Sequence, residues 1–200
     1  MDGMSGPSGS TTPDAGKASD LQAAVVAGLS EAAAAFGGGG EAIELVYAPL
    51  VWEIDGAQDD GLALAIELVF EGYLLHYRNN RVMPLSTPQE RRLLAGDYFY
   101  AHGLSLIAGG ADVGRVGLLT RLMAACAYLR AEKVDFAVDD RLWELVVRGV
   151  AAGARSRLRR AAVRGTDRFD EAIRAGRPAA LAGVAEAALA EARGAGKAGS

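Results

Sequence analysis

The stretch "AIELVFEGYLLHYRNNRVMPLSTPQERRLLAGDYFYAHGLSLIA", residues 65–108, decides the fold of this chain. Its first part is apolar on most sides of a helix, and a helix that is apolar all round is a buried one. A polar loop containing Pro84 and Pro88 follows, and a second apolar helix begins after it. Two apolar helices joined by a polar loop predict a buried helical pair with a functional site near the loop.

Two further helices are predicted before this pair. The first is capped by Ser19 or Asp20 and ends at the glycines of residues 37–40, because glycine commonly terminates a helix. The second covers residues 41–55, with Pro49 near its middle as a kink or a break. Helix is preferred over strand for the second only from its context.

Side chains suited to capping mark the starts of the central pair. Asp59 and Asp60 precede the first helix of the pair, where an aspartate accepts hydrogen bonds from free backbone amides. Thr87 precedes the second helix, and Glu90 three residues later completes the pattern of a capping box.

The C-terminal half predicts four more helices. The first covers residues 112–132, and the second is a long arginine-rich helix from Asp139 to about residue 164. Asp139 and Asp140 are interpreted as caps rather than as ligands of a metal. Shorter helices are expected at residues 167–175 and 178–193.

These segments together predict an all-α protein with one helical domain. Residues 1–18 are rich in Gly, Ser, Thr and Pro and predict a disordered arm. The helical domain is expected over residues 19–194, and residues 195–200 are expected to form a frayed tail.

Composition narrows the classes of function. Half of the 200 residues are apolar, which is enough for a sizeable core, and the net charge of −4 argues against nucleic acid as the partner. The single cysteine, Cys126, excludes an internal disulfide and a zinc site built of cysteines. We expect a cytoplasmic protein without a membrane span, because no secretory signal and no long apolar run are seen.

Glu67 and Glu71 are the most informative acidic residues. They lie one turn apart on one side of an otherwise apolar helix, and Arg78 follows close to that side. They could form a metal or proton site. Because buried carboxylates are costly unless they are paired, a polar stripe that meets arginines of another helix is the preferred interpretation.

Three other features have a structural and a functional interpretation. His76 ends the first helix of the pair and is expected to cap its last carbonyls rather than to act as a ligand. Cys126 lies among apolar residues, where a thiol is usually inert. A row of arginines at helical spacing suits phosphate or carboxylate, although a solvated face or a contact with an acidic subunit is preferred. It consists of Arg157, Arg160, Arg164 and Arg168.

The runs "AIELVFEGYLLH" and "LLAGDYFYAHGLSLIA" resemble the trans-polyprenyl diphosphate synthase family. In that family the first helix ends in His-Asp-Asp-x-x-Asp, whose aspartates hold magnesium on a substrate diphosphate. A later helix of the family opens with Leu-x-Gly-Asp-Tyr/Phe, which corresponds here to Gly96, Asp97 and Tyr98. The pair of Gly96 and Asp97 is interpreted as architectural, with close helix packing at the glycine and a bond from the aspartate to backbone or to an arginine.

This chain departs from the family where the metal would bind. His76 matches the family histidine, but residues 77–81 read Tyr-Arg-Asn-Asn-Arg, so the aspartates are missing. Arg78 and Arg81 could contact a diphosphate, although they could not assist its departure as a metal cluster does. The second aspartate motif is missing too, and the loop is shortened.

The shortened form looks most like the small non-catalytic component of two-component heptaprenyl diphosphate synthases. The resemblance implies a shortened helical bundle of the isoprenoid-synthase type and no cofactor in this chain. It further implies a heterodimer with a catalytic subunit that holds magnesium, and a role in setting prenyl chain length for quinone side chains. Alternatives are a stand-alone enzyme or binder of a prenyl diphosphate, and a helical adaptor unrelated to prenyl chemistry.

Overall fold

The computed structural model describes residues 15–39, 43–56 and 60–194. Within these ranges the chain forms helices and no strand, which confirms the all-α prediction. The helices are α1 (Ala15–Ala34), α2 (Ala48–Asp55), α3 (Asp60–Tyr77), α4 (Gln89–Gly109), α5 (Val113–Ala131), α6 (Phe136–Ala151), α7 (Arg157–Arg174) and α8 (Pro178–Gly194).

Helix α3 lies at the centre of the fold, as its apolar circumference predicts. From Leu62 to Leu75 nearly every side chain is buried, on all sides of the helix. Helices α1, α2 and α4 pack against it, and α5 to α8 form the rest of the core. A helix surrounded in this way leaves its two glutamates no route to bulk water.

Glycines bring α3 and α4 into backbone contact. A methyl group added at Gly103 would lie 2.6 Å from the carbonyl oxygen of Ala65, and one at Gly72 would lie 3.0 Å from that of Gly96. Side chains larger than hydrogen would therefore push the helices apart. The prediction that Gly96 serves close packing agrees with this geometry.

Aromatic side chains join α2, α3 and α6. The indole of Trp143 stacks on Tyr47 with ring centres 5.4 Å apart, and it meets the edge of Phe70 at 5.0 Å. Tyr73 completes the group at 5.7 Å from Trp143. Rings at these distances contribute dispersion and quadrupole attraction beyond the area they bury.

The N-terminal boundaries differ from those predicted. Helix α1 begins at Ala15, so Ser19 and Asp20 lie inside the helix and do not cap it, and the end of the predicted arm is already helical. Residues 1–14 and 195–200 of the predicted arm and tail lie outside the described residues, as does Asp59. Helix α2 begins at Ala48 rather than at residue 41, and Pro49 sits in its first turn, where the missing amide costs no hydrogen bond.

The predicted capping box of α4 is wrong. The residue before the helix is Pro88, and no side chain caps the start of α4. The backbone of Pro88 is extended, with φ of −53° and ψ of 144°, so the helix starts at Gln89, one residue later than a cap at Thr87 would place it.

The long helix predicted from Asp139 is also wrong. Helix α6 begins at Phe136 with Asp135 as its cap. A separate helix, α7, begins at Arg157 and is capped by Ser156. The break follows Ala152, whose backbone turns extended with ψ of 146°. Asp139 therefore sits one turn inside α6, where it is fully buried.

No helix in the described part of the chain is both long enough and apolar enough to cross a membrane.

The glycine contact between α3 and α4 gives a direct test. Gly103→Ala should destabilise the protein by about 1–3 kcal/mol, because the added methyl meets backbone that cannot move aside freely. Gly117→Ala is the matched control, since nothing lies within 4 Å of its added methyl. It should be neutral or stabilise α5 by up to about 1 kcal/mol. Urea unfolding of both variants measures the difference, and equal effects would contradict the close approach.

Candidate functional site

The corner where α3 ends holds a cluster of two buried glutamates and one arginine, called here the Arg81 cluster: Glu67, Glu71 and Arg81. Both glutamates are 0% exposed, and the arginine side chain is 14% exposed. The sequence predicted that arginines of another helix would pair with the glutamates. The arginine comes instead from the loop after α3. The chain reverses after α3 and places Arg81 back over the turn that carries the two glutamates.

The guanidinium of Arg81 is held on all sides. Its Nε donates to Glu71 Oε2 at 2.7 Å, and its Nη1 donates to Glu67 Oε2 at 2.7 Å. Nη1 also reaches the backbone oxygen of Glu44 at 2.8 Å, and the group lies 5.2 Å from the ring centre of Phe70. The Nε and Nη1 donors of Arg81 are therefore taken by the protein, while Nη2 makes one long contact, 3.5 Å from the backbone oxygen of Glu67.

The other oxygen of each glutamate binds backbone. Glu67 Oε1 accepts from the amides of Val46, Tyr47 and Ala48 at 2.8, 2.6 and 2.8 Å. These amides lie at the start of α2, which has no side-chain cap of its own. Glu71 Oε1 accepts from the amide of Arg81 at 2.8 Å. A carboxylate from α3 thus satisfies the free donors at the start of α2.

The charges of the Arg81 cluster balance only if the dipole of α2 is counted with them. Two carboxylates face one guanidinium, and the positive end of the α2 dipole offsets part of the remaining negative charge. Burial by itself lowers the pKa of Arg81, but the attraction of Glu67 and Glu71 outweighs it and raises that pKa. The arginine stays charged at any pH at which the protein folds.

His76 meets Gly96, Asp97 and Tyr100 of α4 on the opposite side of α3. The imidazole stacks on Tyr100 with ring centres 5.3 Å apart, and its Nε2 lies 3.1 Å from Asp97 Oδ1. The imidazole fits there only because residue 96 is glycine, since a Cβ atom at this position would lie 2.7 Å from the ring. Capping of α3 by His76 is therefore wrong, and Asp97 contacts the histidine rather than backbone or an arginine.

Tyr98 points away from the corner. It is 41% exposed, and its ring contacts Phe36 with centres 5.3 Å apart. The structure therefore does not bring Tyr98 together with the Arg81 cluster.

Arg78 lies at the rim of an open cleft. It donates to Asp140 Oδ1 at 2.8 Å and lies over the ring of Phe136 at 4.6 Å. The cleft measures about 450 Å³ and is lined by Leu74, Tyr77, Arg78, Asn79 and Phe136. Of the two site arginines, Arg78 is the more exposed, with 29% of its side chain exposed against 14% for Arg81.

A second buried network was missed by the sequence analysis. Asp139 accepts from the hydroxyl of Tyr73 at 2.5 Å and from Arg130 Nη2 at 2.9 Å, and it is 0% exposed. Burial raises the pKa of the Asp139 carboxyl, while the bonds from Tyr73 and Arg130 lower it in part. Continuing the apolar period of α6 backwards from Val146 and Trp143 places Asp139 on the buried face, which is the signal that could have found it.

The predicted arginine row on α7 is exposed. Arg164 pairs with Glu191 of α8, and Arg160 donates to the backbone oxygen of Arg155. The structure thus agrees with the solvated face that was preferred for this row.

Within the described ranges, no group of three or more His, Cys, Asp or Glu residues is arranged to hold a metal ion. No protein-family model, curated protein sequence or solved structure matches this chain.

The Arg81 cluster predicts a strong asymmetry between two neighbouring arginines. Arg81→Met should cost about 3–5 kcal/mol of unfolding free energy, because it leaves two buried carboxylates without their cation. Arg78→Met is the matched control, since its ion pair with the half-exposed Asp140 is worth about 1 kcal/mol or less. Chemical denaturation measures both, and a cost for Arg81→Met no larger than that of the control would refute the assignment.

The network at Asp139 predicts a pH-dependent loss in Tyr73→Phe. At neutral pH this variant should lose about 1–3 kcal/mol, because a buried charged oxygen loses its donor. The folded-state pKa of Asp139 is already raised by burial, and removal of the Tyr73 bond raises it further. Removal of the hydrogen bond destabilises the charged form of Asp139. The loss of unfolding free energy should therefore shrink as the pH falls from about 7 towards about 4 and the carboxyl takes up a proton. Unfolding curves of both proteins across this range provide the test, and a loss that is constant or grows on acidification would show that Asp139 is not the partner.

Proposed function

We propose that this chain is a non-catalytic auxiliary subunit of a heteromeric polyprenyl diphosphate synthase of the heptaprenyl type. In this role it supports elongation or sets the chain length of a prenyl group for quinone side chains. The catalytic partner carries the magnesium. The observation that carries the proposal is the Arg81 cluster, which occupies the corner where the resemblance places the metal-binding aspartates.

The chemistry of that corner supports the proposal. Magnesium on a diphosphate needs several hard oxygen ligands that converge on one point. The carboxylate oxygens of Glu67 and Glu71 are taken by Arg81 and by backbone amides. A metal could recruit them only by expelling a buried arginine, at a cost of several kcal/mol.

The outer side of α4 supports the presence of a protein partner. We call it the outer α4 face; it consists of Leu93, Leu94, Tyr98 and Leu106, all of which are exposed. Between residues 93 and 111 the sequence has one charged residue, Asp97. A surface helix normally carries charges on its outer side. An outer side that is mostly apolar and carries a single acidic residue, Asp97, fits a protein subunit that presents a mostly apolar surface to it.

A second candidate function is the binding of a prenyl diphosphate by this chain alone. The open cleft at the end of α3 favours it, because Arg78 and Asn79 supply polar groups beside Leu74 and Phe136. Glu67 and Glu71 do not contribute, since Arg81 holds them. Stabilisation of the isolated chain by a prenyl diphosphate, lost in Arg78→Met, would favour this candidate over the auxiliary subunit.

Co-expression with a catalytic polyprenyl synthase from the same genome tests the proposal. The two chains should co-purify, and the isolated chain should show no prenyl transfer with magnesium and prenyl diphosphates. Leu94→Glu should weaken the complex by about tenfold or more, because it buries a charge in the contact. Val163→Glu is the control, since Val163 is also an exposed apolar residue but lies on α7. Turnover by the isolated chain, or a complex indifferent to Leu94→Glu, would contradict the proposal.

A further inference from the structure

Positive charge is concentrated in one segment of this acidic chain. Residues 145–166 contain six arginines and no aspartate or glutamate, although the chain as a whole carries a net charge of −4. The segment covers the end of α6, the loop after it and the first part of α7. Its arginines are Arg148, Arg155, Arg157, Arg159, Arg160 and Arg164.

Three of the six arginines are matched by carboxylates from outside the segment. The pairs are Arg148 with Glu144, Arg159 with Asp112, and Arg164 with Glu191. The second pair joins α7 to the start of α5, and the third joins it to α8. Half of the positive charge of the segment therefore serves the fold.

The other three arginines, called here the basic end of α7, are Arg155, Arg157 and Arg160. All three are exposed, and none of them forms an ion pair within the described part of the chain. Arg160 donates to the backbone oxygen of Arg155, which keeps the loop arginine next to the helix. Their charges are available to a partner outside this chain.

The position of the basic end opposes the stability of α7. The free amides at the start of a helix carry partial positive charge, so acidic residues are favoured there. The first turn of α7 contains no acidic residue. Helix α5 starts at the same place, since its cap, Asp112, pairs with Arg159 in the first turn of α7. An arrangement that locally opposes stability is expected where a surface serves binding.

The basic end lacks the anchors of a protein–protein contact. Such contacts draw most of their affinity from buried aromatic and large side chains, and charges at their rim contribute little. Between residues 152 and 162 the one large apolar residue, Leu158, is half-buried. The neighbouring start of α5 adds Val113, which is 80% exposed. This surface fits a partner whose negative charge is spread over a plane.

We propose that the basic end of α7 docks the protein on the surface of an anionic lipid bilayer. Lipid phosphates form a plane of negative charge, and each guanidinium can pair with phosphate oxygens. Val113 can enter the headgroup layer beside the arginines. The choice of a bilayer over another polyanion rests on the proposed function, because a long prenyl chain dissolves in a bilayer and not in water.

Co-sedimentation of the full chain with vesicles tests the docking. Vesicles of phosphatidylglycerol and phosphatidylcholine in equal parts should bind the protein at low ionic strength, and vesicles of phosphatidylcholine alone should not. Added salt should release the protein, because it screens exposed charges. Each arginine near an anionic surface contributes about fivefold to the binding constant, so loss of all three should weaken binding by about thirtyfold or more. The variant carries Arg155→Gln, Arg157→Gln and Arg160→Gln.

A second triple variant is the matched control. It carries Arg91→Gln, Arg174→Gln and Arg177→Gln, which remove the same charge from exposed positions outside the basic end. It should bind the charged vesicles nearly as well as wild type. The melting temperature of the first variant should not fall, because three cations leave the positive end of a helix. Its loss of binding then cannot come from unfolding.

Several results would overturn the docking. They are equal binding to both kinds of vesicle, equal losses in the two triple variants, and a lower melting temperature of the first variant. Tighter binding to a DNA duplex or to polyglutamate than to the charged vesicles would also do so, since the partner would then be a different polyanion. A chain that co-purifies with a catalytic synthase but ignores the vesicles would overturn this inference and leave the proposed function intact. Vesicle binding without that complex would contradict the proposed function alone.

Discussion

The fold depends on keeping two acidic side chains inside an apolar core. Glu67 and Glu71 lie on α3, against which α1, α2 and α4 pack, and neither side chain reaches solvent. Carboxylates can stay there only if each oxygen has a donor. Arg81 and the amides at the start of α2 provide those donors, so the requirement fixes the loop after α3 and the position of α2 in one step. Neither α2 nor the loop could shift without leaving a buried charge unpaired.

The same constraint links the fold to the proposed function. The proposed function rests on a contrast with the family that the sequence resembles, whose aspartate motif is expected to hold magnesium. Here the acidic groups are turned into the core and neutralised by an arginine from the loop, so the corner serves structure. What remains exposed nearby is Arg78 with its cleft and the outer α4 face. Both surfaces are open to contact with another molecule.

Features set by local pattern could be predicted from the sequence. The apolar circumference of α3 predicted its burial, and the spacing of Glu67 and Glu71 predicted that arginine would pair with them. Features set by distant partners could not be predicted. The source of that arginine depended on a chain reversal, and Asp139 is a plausible cap in sequence although Tyr73 and Arg130, far along the chain, hold it inside. The predicted start of α2 was wrong for a related reason. This helix receives its cap from Glu67 of α3, and no local signal at residues 41–48 reveals it.

A double-mutant cycle on the Arg81 cluster tests the central claim most directly. The unfolding free energy of wild type is compared with that of Arg81→Met, of Glu67→Gln with Glu71→Gln, and of all three changes together. If the three side chains act as one unit, most of the cost of losing Arg81 should vanish once both charges are gone, with a coupling energy of about 2 kcal/mol or more. Additive effects, with a coupling energy near zero, would mean that the arginine does not neutralise the buried glutamates, and the account of both the fold and the corner would fail.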